Sequence, residues 1–165
     1  MNKIIFITGV AGSGKTTIGK LLSQKTGIPF LDADDFHPAN NKAKMKAGRP
    51  LTDDDRQQWL EQLNKLAVDE MKVKGAIIAC SALKEKYRIL LAQNISDTAW
   101  IFLQGDYQTI YERIKNRKDH FMPPQLLQSQ FDSLEIPASA LMVDIVKDTD
   151  SVMEAILQYL HGRNN

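Results

Sequence analysis

The chain has 165 residues, 43% of them hydrophobic and 25% charged, and a formal net charge of +1. That length suits a single domain with one substantial core, and that composition excludes a disordered chain. The near-even charge balance gives no electrostatic argument for nucleic acid or an anionic membrane as partner, so any anion must be held by a local site.

The single cysteine, Cys80, excludes an internal disulfide and lends no support to an oxidising compartment. The first apolar run, residues 4–7, is too short for a signal-peptide core or a membrane span, so a cytoplasmic location is expected. The sequence shows no internal repeat, low-complexity stretch or linker, and the expectation is one domain over residues 1–165.

In chain order, short apolar runs alternate with amphipathic stretches, the pattern of a doubly wound α/β fold with a parallel sheet and helices on both faces. Residues 4–7 read as a buried strand and 15–25 as the helix behind it, closed by Gly27-Ile28-Pro29. A shorter strand begins at Phe30-Leu31, and helices follow over 39–47 and 53–74. In the longer helix Trp59, Leu60, Leu63, Leu66, Ala67 and Met71 fall near helical spacing, and an acidic run sits at its positive end. Residues 76–80 make a third strand, 83–92 a helix, 100–103 a fourth strand and 107–118 another helix. A polar, proline-punctuated segment, 119–137, contains one short helix over about 125–134 and reads as a lid, with Met122-Pro123-Pro124 as its hinge. Residues 141–143 form a fifth strand and 151–160 the closing helix. In such a fold the site lies at the C-terminal ends of the strands.

Gly9-Val10-Ala11-Gly12-Ser13-Gly14-Lys15-Thr16 matches G-x-x-x-x-G-K-[ST], with a strand before it and a helix after it. Its glycines let main-chain N–H groups approach phosphate oxygens, and those donors with the helix N-terminus make an anion cradle. Lys15 is expected to reach the β- and γ-phosphates of ATP, Thr16 to ligate Mg²⁺, and Thr17 to lie on the nucleotide side. A ligand-free glycine turn is the bland alternative, and strand-loop-helix context argues against it. No Asn/Thr-Lys-x-Asp tetrapeptide for reading guanine occurs, which leaves a small-molecule kinase favoured over a GTPase.

Asp32 and Asp34 follow the second strand, and an extended chain would project both on one face. Asp34 is expected to orient the acceptor hydroxyl and take its proton, with Asp32 supporting Mg²⁺ through water. Asp35 is expected to point elsewhere into solvent. His37 shares the loop and could hydrogen-bond a polyol, although a histidine beside proline is more often structural.

These residues resemble the gluconate kinase (gluconokinase) family of small P-loop kinases over nearly the whole chain. The resemblance rests on the phosphate loop, on Asp32-x-Asp34-x-x-His37-Pro38, and on the long block from Asn41 through Gly48-x-Pro50-Leu51 to Asp53-x-Asp55-Arg56-x-x-Trp59-Leu60. It continues with Cys80-Ser81-Ala82-Leu83-Lys84-x-x-Tyr87-Arg88, Arg113-x-x-x-Arg117-x-x-His120-Phe121, Ser129-Gln130-Phe131 and Leu134-Glu135-x-Pro137. It implies transfer of the ATP γ-phosphoryl group to the 6-hydroxyl of D-gluconate, a nucleoside-monophosphate-kinase-like fold and a homodimer.

A sugar acid needs cations and hydrogen-bonding groups in its pocket. Arg56, Lys84 and Arg88 are the candidates, with Lys44 a weaker one. Asp53, Asp54 and Asp55 read as helix cap and solvated face, Trp59 as core, and Cys80 as a small core side chain. Arg113 and Arg117 lie four apart, hence on one helical face; Arg113 is placed with the nucleotide and Arg117 as the stabiliser of transition-state charge. The nearest rival is shikimate kinase, which carries a glycine triplet after the third strand where this chain has Ser81-Ala82-Leu83-Lys84. A P-loop ATPase or switch without a small acceptor is the rival of another class. Adenine contacts are expected near Val146 to Asp148.

Overall fold

The computed structural model describes residues 2–117 and 123–163. Strands β1 (Ile4–Thr8), β2 (Phe30–Asp32), β3 (Ala76–Ala79), β4 (Thr98–Gln104) and β5 (Leu141–Asp144) form one sheet in the order β2-β3-β1-β4-β5. All four neighbouring pairs are parallel. Parallel neighbours require crossovers, and the chain supplies them as helices. Helix α1 (Lys15–Thr26) follows β1; α2 (Ala39–Lys46) and α3 (Asp53–Val73) follow β2; α4 (Glu85–Ala92) follows β3. Helices α5 (Tyr107–Lys115) and α6 (Pro124–Ser133) follow β4, and α7 (Thr149–Gly162) follows β5.

β1 is the central strand and every one of its residues is buried, which explains why it reads as an unbroken apolar run. Its side chains alternate between two cores. Ile5 and Ile7 join Leu22, Ile110 and Ile156 on the face covered by α1, α5 and α7. Ile4 and Phe6 join Trp59, Leu63 and Leu91 on the face covered by α3 and α4. The expected doubly wound architecture is the one observed.

Element boundaries fall within three residues of the sequence reading, with one element added. A 3₁₀ turn over Ala33–Phe36 follows β2, so the chain does not stay extended past Asp32. Asp32 causes this: its carboxylate accepts the Asp34 N–H at 3.0 Å and caps the turn. Helix α3 is capped by Thr52, whose hydroxyl and the Asp55 carboxylate form a reciprocal capping box. Helix α5 ends three residues early, and the Arg117 N–H turns back to the Ile114 carbonyl at 3.1 Å. The first part of the expected lid, His120, Phe121 and Met122 included, lies outside the described residues.

Candidate active site

The phosphate loop leaves the end of β1 and runs into α1. Gly9 takes φ +143° with its α-carbon against β4; a Cβ there would stand 2.8 Å from the Leu103 carbonyl oxygen. Gly14, at φ +99°, is the residue before the first turn of α1 and leaves that helix end open. Among the described residues the buried Ser13 hydroxyl has no hydrogen-bond partner. Lys15 bends over the loop and donates to the Val10 carbonyl at 3.0 Å. Burial holds its pKa below the ordinary lysine value, opposed by the nearby Asp34 and Asp32 carboxylates. A cation held in place and partly stripped of water interacts strongly with an arriving phosphate.

The acid loop is tied to this cradle. The Thr16 hydroxyl donates to Asp32 Oδ2 at 2.7 Å, while Asp32 Oδ1 takes the Asp34 N–H. Asp32 and Asp34 therefore share one site, by way of a capped turn rather than the two-residue alternation of an extended strand. Thr16 and Asp32 are hard oxygen donors side by side, the donor type that Mg²⁺ prefers. Among the described residues no group of three or more His, Cys, Asp and Glu could hold a metal by itself, so phosphate oxygens and water would complete the shell.

Behind the acids, His37 stacks on Trp59 with ring centroids 4.0 Å apart, and the Trp59 indole N–H donates to the Ala33 carbonyl at 2.8 Å. Trp59 is core as expected, and it also fixes the acid loop. Burial, then the Arg56 and Lys42 cations, push His37 down to about 4, so the imidazole is neutral near pH 7. Its Nε2 lies 3.8 Å from Asp34 Oδ1.

Two adjoining hollows share this region. The larger, about 810 Å³, is lined by Ala11, Lys15, Asp32, Asp34, Arg56 and Arg117 among others. The smaller, about 190 Å³, lies between Gly14, Thr17, Arg113, Val143, Ile145 and Lys147. Its apolar walls, Ile18, Leu103, Val143, Ile145 and Val152, suit a flat heteroaromatic ring. Arg117 borders both hollows, and Arg113 borders the smaller and donates to the Ile145 carbonyl. Of residues 146–148, expected near the adenine, Lys147 lines the smaller hollow, whereas Val146 is exposed.

Several expected positions are corrected. Asp35 is exposed to solvent as expected, and it also borders the larger hollow. Arg88, expected at the substrate, is instead buried, and its guanidinium donates to the Ala82 and Leu83 carbonyls and to Glu85. Lys84 and Lys44 border neither hollow: Lys84 pairs with Asp53 at 3.0 Å, and Lys44 with Asp55. Asp53 is more than a solvated cap, since Lys84, Lys86 and Tyr87 all converge on it and hold its carboxyl far below the usual range. Of the four cations expected around the acceptor, Arg56 alone borders the larger hollow.

The sequence reading missed Met45, Pro50 and Leu51 as lining residues, and it missed Gln130. Gln130 Oε1 accepts the Ala11 N–H at 2.8 Å, from a helix 119 residues along the chain.

The family model described as shikimate kinase matches residues 11–160. The chain is 43% identical to the "Probable gluconokinase" of Dictyostelium discoideum, over 95% of this chain and 86% of that protein. It is 41% identical to the "Thermosensitive gluconokinase" of Escherichia coli strain K12, over 92% and 84% respectively. The crystal structure of a gluconokinase from Sinorhizobium meliloti 1021 superposes with a TM-score of 0.86 at 32% identity, covering 99% of this chain and 98% of that one.

Proposed function

This chain belongs to the gluconokinases within the shikimate-kinase-like P-loop proteins, and from that premise we propose that it phosphorylates D-gluconate on its 6-hydroxyl, with ATP as donor. One observation carries the mechanism. The hydrogen-bonded series Thr16–Asp32–Asp34 fastens the acceptor-side carboxylate to the phosphate loop, so both substrates meet in a single hollow.

The loop N–H groups and Lys15 hold the phosphates, and the base lies in the smaller hollow against Ile145 and Val143. Gluconate lies in the larger hollow, its carboxylate toward Arg56, whose planar guanidinium suits bidentate contact. Asp34 accepts the proton of the 6-hydroxyl as that oxygen bonds to the γ-phosphorus and the bond from phosphorus to the β,γ-bridging oxygen breaks; ADP and 6-phosphogluconate leave. Arg117, at the junction of the two hollows, faces the charge that develops on the transferred group. Thr16 and Asp32 are the residues that would hold Mg²⁺, which neutralises phosphate charge when bound.

To the same reading belong a single kinase domain, a lid segment at about 119–137 whose α6 part is anchored through Leu127 and Phe131, and a cytoplasmic location, all read from the residues, and a homodimer, which rests on the family resemblance. Among the described residues no helix is long and apolar enough to cross a membrane.

A coupled ADP-release assay with ATP and Mg²⁺ tests the reading. Turnover should require gluconate, and shikimate should not replace it. Equal ADP release without any acceptor would mean an ATPase, and preference for shikimate would reassign the substrate.

A further inference from the structure

We propose that Gln130 is a positioning residue that reads the terminal phosphoryl group of the nucleotide. Its carboxamide oxygen accepts the Ala11 N–H of the phosphate loop, and its NH₂ group turns to the γ-phosphoryl oxygens when ATP is bound. The inference rests on the ATP reading above.

The two hollows give the triphosphate a direction. Ser13 borders the apolar base pocket alone, Gly14 and Thr17 border both hollows, and Ala11 and Gly12 border the acceptor hollow alone, with Asp34. Phosphates running from base to acceptor therefore end at Ala11, and the Ala11 N–H is the donor that the last phosphoryl group meets. In this structure that N–H already has an acceptor, Gln130 Oε1 at 2.8 Å.

A phosphate oxygen is a stronger acceptor than a neutral amide, because a charge-assisted bond is about twice as strong as a neutral one. It would displace the carboxamide oxygen from Ala11. Glutamine carries two donors beside that oxygen, and its terminal torsion is soft, so rotation presents N–H where C=O had been. A side chain with an acceptor alone could not make the exchange.

The helix keeps Gln130 from withdrawing. On α6, Leu126, Ser129 and Gln130 share the face toward the hollow, at the three- and four-residue spacing of one helical surface. Leu127 is buried in the core, and the Phe131 ring meets Tyr107 edge-on at 5.5 Å. The residue is thus presented by an anchored element, and its rotation reports whether the outermost phosphate position is filled.

The test compares ADP with a non-hydrolysable ATP analogue by titration calorimetry, in the wild-type chain, Gln130→Ala and Gln130→Glu. Gln130→Glu keeps an acceptor for the Ala11 N–H, now a charged one, but lacks the donor, so its nucleotide-free melting temperature should be no lower than that of the wild type. In both variants analogue affinity should fall about tenfold while ADP affinity stays within twofold, with Gln130→Glu the weaker binder of the two. Parallel losses for ADP and analogue would reduce Gln130 to a docking contact and overturn the inference. Analogue binding unchanged in Gln130→Glu would overturn it as well, with the kinase reading intact. A wild-type chain that binds neither nucleotide overturns the kinase reading and this inference together.

Discussion

Arg88→Ala is expected to unfold the protein more readily without weakening its grip on gluconate. The guanidinium donates to the Ala82 carbonyl at 2.8 Å and the Leu83 carbonyl at 3.3 Å, in a place where Arg88 keeps 5% of its surface exposed. Ala82 holds a left-handed backbone, φ +42°, so its carbonyl is part of a bend with no easy alternative. Truncation strands the Ala82 carbonyl, at roughly 1–3 kcal/mol, whereas the Leu83 carbonyl keeps the Glu135 N–H at 2.8 Å. The pairing with Glu85 adds little, since that carboxylate is 58% exposed. The total is about 2 kcal/mol, and at about 2–4 °C per kcal/mol for a chain of this size the melting temperature drops by about 4–8 °C. The assay is a thermal melt beside a gluconate titration made well below the transition. Arg88→Lys, which keeps the charge and loses the planar fork, should recover only part of the loss. A variant that melts like the wild type while its KM for gluconate rises tenfold or more would refute the structural role and restore Arg88 to the substrate.

Asp34→Asn should lower kcat by about 10²–10⁴ and leave ATP-analogue affinity nearly unchanged; wild-type turnover would remove Asp34 from the base role. Asp32→Asn should weaken the apparent Mg²⁺ affinity in the assay by about tenfold or more, with metal-free nucleotide binding retained, and an unaltered Mg²⁺ titration would separate Asp32 from the metal. Folded His37 gains its proton only near about 4, against 6.5 in the unfolded chain, so the unfolded state binds more protons between those values. Stability tied to the neutral imidazole is complete above pH 6.5 and drains as pH falls toward 4. His37→Phe, which keeps the ring on Trp59, should flatten denaturation midpoints across that window, and a pH dependence equal to the wild type would contradict the buried neutral state.

Much of this was legible in the residues. The phosphate loop and the strands beside it announce themselves because β1 is buried on both faces and the glycine spacing serves one purpose. The acid loop was legible in chemistry but not in shape: an alternating pattern presumes an extended chain, and Asp32 capped a turn instead. The cations misled for a different reason. Lys44, Lys84 and Arg88 look like free charges along the chain, yet Asp55, Asp53 and two carbonyls in a left-handed bend claim them, and those partners are brought up by folding. Gln130 carries no charge and sits far along the chain, so nothing in its local sequence points to Ala11.

The strand order has an evolutionary side. On the proposed reading of the two hollows, with β1 in the middle, the acceptor-side lining within 32–56 comes off the β2 flank and the ring pocket off the β5 flank, joined at the loop between them. Substitutions on the first flank can redirect which alcohol is phosphorylated while the donor half stays as it is. Relatives sharing this scaffold can thus diverge in metabolic role by remodelling one side, which is how a chain can match a shikimate kinase profile and still align end to end with gluconokinases.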